Sequence, residues 1–180
     1  MDDRTLLRLS AIAAIAGGLL RAADPLFAAL HPSNAVLQQT WFAIDTLLLA
    51  GGTGIYLAEA NRLGVIGLAG ALVFLFGILL VRSASVTVLG LGGYQTGAAI
   101  ALFGISTLAL SMLLRRAQIV ASSLWLAALA TGLASRTGTG ATMLVAVSGV
   151  LFGLGFAAAG AALVMRSSAG LASSTARSQA

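Results

Sequence analysis

The stretch from Asn34 to Asn61, NAVLQQTWFAIDTLLLAGGTGIYLAEAN, limits what this chain can be. It is long and apolar enough to cross a bilayer, yet it carries an acid, Asp45, near its middle. Gln38, Asp45, Gly52 and Glu59 recur every seven residues. On an α-helix seven residues is almost two whole turns, so the four share one slowly drifting stripe. Hydrocarbon does not accept such a stripe, which must face protein or a water-filled cavity.

The rest of the chain is of the same kind. Hydrophobic residues make up 59% and charged residues 8%, with a mean hydropathy of +1.01. A soluble domain is about 45–50% apolar and about 25% charged. Six apolar segments stand out, at about 6–23, 35–60, 63–81, 95–114, 118–135 and 141–165. They predict an all-α, polytopic bundle of six transmembrane helices spanning 1–166. The serine-rich stretch 167–180 reads as a disordered cytoplasmic tail.

The first segment resembles a signal peptide in position, but Arg21 stands where cleavage requires a small residue, so it reads as a retained helix. Pro25 and Pro32 bracket a short interfacial piece that ends at His31. Asn61-Arg62 reads as the tight turn between the second and third helices. Residues 82–94 read as the longest connection. Trp41 and Tyr56 flank the second helix, as aromatic residues do at membrane interfaces.

Orientation follows from the arginines. With both termini inside, Arg4, Arg8, Arg62, Arg115, Arg116, Arg166 and Arg177 are cytoplasmic, and only Arg21, Arg82 and Arg136 are external. That division satisfies the positive-inside bias. The arginines stand singly or in one pair between apolar runs, which is not the clustered basic face of a nucleic-acid-binding domain. The use of arginine without lysine, and the abundance of alanine and glycine, point to a GC-rich bacterial genome and hence to a bacterial inner membrane.

Composition narrows the chemistry. There is no cysteine and no lysine, and the one histidine is His31. Thiol chemistry, Schiff bases, a phosphate-binding loop with its lysine and a multi-histidine metal or haem site are excluded within one chain. No catalytic constellation, metal site or cofactor is expected, and the chain does not read as an enzyme.

The residue with a sharp functional reading is Asp45. A charged acid at the bilayer centre costs about 2.5–3.5 kcal/mol on insertion scales, so it takes up a proton or finds a partner. Counting from the start of its helix, Asp45 lies roughly 13–15 Å deep. Arg21, Tyr94, Gln95 and Gln38 are the polar groups expected around it, with polar side chains or water favoured over a direct Arg21 pair. Glu59 reads as half of an exposed pair with Arg62, of little energetic weight. Gly52, Gly70, Gly77, Gly97, Gly104, Gly149 and Gly153 form seams of small residues that let helix backbones approach.

Two functions are open on these residues. One is a non-enzymatic membrane protein that packs in the bilayer with a second copy or with another membrane protein. The other is a small proton- or ion-coupled carrier centred on Asp45. A polar cavity reaching Asp45 favours the carrier, and a filled interior favours packing.

Overall fold

A computed structural model describes residues 3–30, 33–84, 90–136 and 140–178. They form five α-helices and no strand: α1 (Asp3–Ala29), α2 (Asn34–Ala84), α3 (Gly90–Leu114), α4 (Ile119–Ala134) and α5 (Ala141–Ser178). Four of these contain stretches long and apolar enough to cross a membrane, Thr5–Phe27, Ala35–Ser83, Gly92–Leu114 and Ala141–Arg166. The shorter α4 has 16 residues.

At 51 residues, α2 would be about 75 Å long if straight, more than twice a bilayer's hydrocarbon core of about 30 Å. It is not straight. Gly64 leaves the helical region at φ 61, ψ −161, a conformation open essentially only to glycine. The chain doubles back there, giving a first arm (34–63) and a second arm (65–84). Gly52 lies against the Phe74 ring, and Arg82 meets Asp45. In a straight helix those pairs would be roughly 33 and 55 Å apart.

The reversal comes later than the Asn61-Arg62 turn that the sequence suggests. Asn61 and Arg62 are both helical. Neither forbids a helix, whereas the backbone at Gly64 excludes nearly every other residue. The freed carbonyl of Leu63 is satisfied from α3, where the buried Ser111 hydroxyl donates to it at 2.9 Å.

Small residues set the distances between helices. A Cβ at Gly70 would lie 2.6 Å from the Leu108 nitrogen, and one at Gly97 2.6 Å from that of Val81. Gly77 abuts the Ala101 backbone, and Gly104 abuts that of Phe74. Each step along the second arm is matched by an equal step back along α3, so the two run antiparallel in close register. On α1, Gly18 packs on Gly153 and Ala11 on Gly160 of α5, while Ala14 packs on Gly51 of the first arm. Trp125 of α4 sits over Gly155, its Nε1 donating to the Phe152 carbonyl at 3.2 Å. The order of neighbours is therefore α1, first arm, second arm, α3, α4, α5 and back to α1, each antiparallel to the one before. The start of α1 and the end of the α5 span share the end of the bundle that holds Gly64. The centre is aromatic: Phe156 lies 5.4 Å from Phe74, 5.1 Å from Trp125 and 5.2 Å from Phe152, between ring centroids.

Three further boundaries differ from the sequence reading. Helix α1 carries Pro25 inside it and continues to Ala29, so most of the separate interfacial piece is helix. The proline removes one backbone donor without stopping the helix. His31 and Pro32 lie outside the described residues. The connection expected at 82–94 is helical on both flanks, and residues 85–89 also lie outside the described residues. The backbone of α5 stays helical to Ser178, through most of the stretch that reads as a disordered tail.

Nothing lies within 4 Å of a Cβ built at Gly64, so Gly64→Ala meets strain alone. It lowers stability by about 1–3 kcal/mol. Gly92→Ala, which also meets open space and has no positive φ, is neutral by comparison. Thermal unfolding of the two variants in detergent checks this.

Candidate functional site

The seven-residue stripe runs down the first arm and places an acid near each end of the bundle. Along that arm Asp45 lies roughly 28 Å from Gly64, close to the full hydrocarbon thickness of about 30 Å. Asp45 therefore lies toward the end of the bundle opposite the reversal, where it meets Arg82. The first arm, which begins at Asn34, overshoots the second by roughly three turns. Those extra residues carry Trp41 and Phe42, both exposed as interface aromatics are.

The partner of Asp45 is Arg82, at the far end of the second arm. Its Nη1 stands 3.5 Å from Asp45 Oδ2, and its guanidinium carbon lies 4.8 Å from the Phe42 ring centroid. Arg82 was absent from the groups expected around Asp45. The hairpin register, once known, places it there, but sequence spacing alone does not. Arg21 pairs instead with Asp24, Nη1 to Oδ2 at 2.6 Å, one turn along α1. The Trp41 indole N–H donates to the other Asp24 oxygen at 2.8 Å. Trp41 thus ties α1 to the first arm, and the Asp45–Arg82 pair ties that arm to the second. Tyr94 and Gln95 are exposed at the start of α3, and neither is bonded to Asp45 among the described residues. Gln38 is exposed and, with Ala35, Gln39, Phe42 and Arg82, lines a cavity of about 370 Å³.

At the other end Glu59 is only 1% exposed. The Arg166 Nη1, from the end of the α5 span, donates to its Oε1, and the Arg62 guanidinium stands 3.8 Å from its Oε2. The reading of Glu59 as an exposed pair is therefore corrected. The signal was present in the stripe itself, which put Glu59 on the same inward face as Asp45 and Gly52.

The glycine positions are occupied within the chain. Gly52 holds Phe74; Gly70, Gly77, Gly97 and Gly104 join the second arm to α3; Gly153 meets Gly18. Gly149 leaves room for Arg21, whose Nη2 would be 3.5 Å from a Cβ there. Between Asp45 and Glu59 the interior is filled by Gly52, Phe74, Phe152 and Phe156. Comparison with known protein families, with curated proteins and with solved structures gives no match in any of the three.

The two acids differ in what they contribute. Asp45→Asn costs less than about 1 kcal/mol, because its pair with Arg82 is long at 3.5 Å, Arg82 is partly exposed, and the amide keeps the shape and hydrogen-bonding capacity of the acid. Arg166→Leu costs about 3 kcal/mol, because it strips the near partner from a buried carboxylate. Denaturant titration of the two variants in detergent measures the contrast, and equal losses would contradict it.

Proposed function

We propose that this chain is a multi-pass protein of a bacterial inner membrane, crossing it six times with both termini in the cytoplasm. In this reading each arm of α2 counts as one crossing, and α4 as another. The alternating direction of neighbours supports this count. The arginine division supports the orientation, since Arg8, Arg62, Arg115, Arg116 and Arg166 gather at the Gly64 end.

Its role, in the same reading, is non-enzymatic: an accessory protein that acts by packing in the bilayer with a second copy or another membrane protein. The observation that carries this is the aromatic filling between Asp45 and Glu59, which puts rings and no polar route between the two acids among the described residues. Ion or proton transfer across a membrane needs such a route, lined by polar groups or water. One observation favours the carrier instead. The cavity lined by Gln38, Gln39 and Arg82 brings polar groups to the partner of Asp45 from one face.

The chain has no cysteine, so each introduced one is a unique label. Asn61→Cys and Arg116→Cys should react with an impermeant maleimide only after the membrane is opened, and Arg136→Cys in intact cells. External labelling at Arg116→Cys would reject the topology. Vesicles containing the purified protein should show no proton flux that Asp45→Asn abolishes. Such a flux would establish the carrier and remove the packing role.

A further inference from the structure

The Gly64 end of the bundle holds a second cavity, of about 450 Å³, lined by Asn61, Arg62, Gly64 and Arg115. It is assembled from two parts of the chain. The Ser111 bond to the Leu63 carbonyl fixes the end of α3 against the reversal, and Arg115 follows Ser111 by one helical turn. Beyond it the chain turns sharply, with Arg116 and Gln118 both at positive φ (53 and 46). Non-glycine residues adopt that region at a cost, so the turn is held by its surroundings.

The lining is basic and carries no acid. Arg115 has no acidic partner among the described residues. Arg62 is 68% exposed, and its one acid, Glu59 at 3.8 Å, is already bonded by Arg166. Two guanidinium groups and an amide therefore converge on a space with no negative charge in it. Guanidinium groups are suited to phosphate oxygens, which they bind in a forked geometry. Around the rim the side chains are apolar and open: Val65 is 81% exposed, Leu114 72% and Ile66 59%.

We propose that this cavity seats the phosphate of an anionic phospholipid, with the acyl chains lying over Val65, Ile66 and Leu114. A free phosphate shares the headgroup chemistry but has no use for the apolar rim. Basic pockets between membrane helices at the cytoplasmic surface bind such headgroups. The proposal rests on the membrane reading above. Cysteine labelling tests which side this end faces, and the binding experiment below is independent of it.

The test is native mass spectrometry and thermal unfolding of the full chain in a neutral detergent. Phosphatidylglycerol, phosphatidylcholine or inorganic phosphate is titrated in. The expected result is saturable retention of phosphatidylglycerol with a raised unfolding temperature, and little effect of the other two. Arg62→Gln with Arg115→Gln should weaken that binding by about ten-fold or more, since both charged donors are lost. Arg136→Gln, at the other end of the bundle, should leave it unchanged. Arg115→Lys keeps the charge and should keep part of the binding, which separates loss of the site from loss of the fold. Equal binding of phosphatidylcholine, or of phosphatidylglycerol by the double variant, would overturn the proposal. Inorganic phosphate binding as tightly as phosphatidylglycerol would overturn the assignment to a lipid.

Discussion

The reversal at Gly64 is the constraint on which the rest of the bundle depends. Inside hydrocarbon every backbone polar group must find a partner within the protein, so an irregular turn is tolerated only at a surface or against another element. Here the turn has both: an exposed Gly64, and a serine from α3 on the carbonyl that the broken helix leaves free. That one bond fixes the hairpin against α3. The register of the two arms then decides which glycine meets which ring and which acid meets which arginine. Apolar attraction cannot supply such precision between helices in lipid, since the tails are as apolar as the side chains. Backbone contact at small residues does, and the matched steps of Gly70, Gly77, Gly97 and Gly104 are its trace.

The charges divide by depth in the same way. Asp45, Arg82, Asp24 and Arg21 keep part of their surface exposed, and their pairs orient helix ends more than they stabilise them. Glu59 is sealed, so its carboxylate is tolerated because two arginines answer it. Both acids sit on one face of one helix, and their different roles come from where the neighbouring elements end. The aromatic cluster fills the space between the two charged ends.

Much of this was legible in the sequence. Helical class, apolar spans and the inward stripe of the first arm follow from composition and from a seven-residue period. The glycine seams follow from spacing, though not their partners. What escaped depended on a single backbone torsion. Among 22 glycines, Gly64 looks like any other, while the adjacent Asn61-Arg62 looks like a turn because it is polar. Shifting the reversal resets every cross-hairpin pair, which is why the sequence does not show Arg82 as the partner of Asp45. Arg166 was missed for a different reason. Its contact with Glu59 joins residues 107 positions apart, and no local pattern reports so distant a pair.

The adjacency of α1 and α5 has a consequence for how the molecule is made. On the membrane reading proposed above, the chain enters the bilayer from its N-terminus, so α1 and the first arm arrive long before α5. Until then the face of α1 around Gly18 has nothing to pack on, and Glu59 lacks its nearer cation. Closing the ring is thus the last event of assembly, and it joins the most distant parts of the chain, the slowest kind of contact to form. The first helix must either wait with that face against lipid or be shielded by something else during synthesis. A chain cut short before α5 would carry the hairpin and its seams intact, but would be left as an open arc with a half-answered acid at its edge.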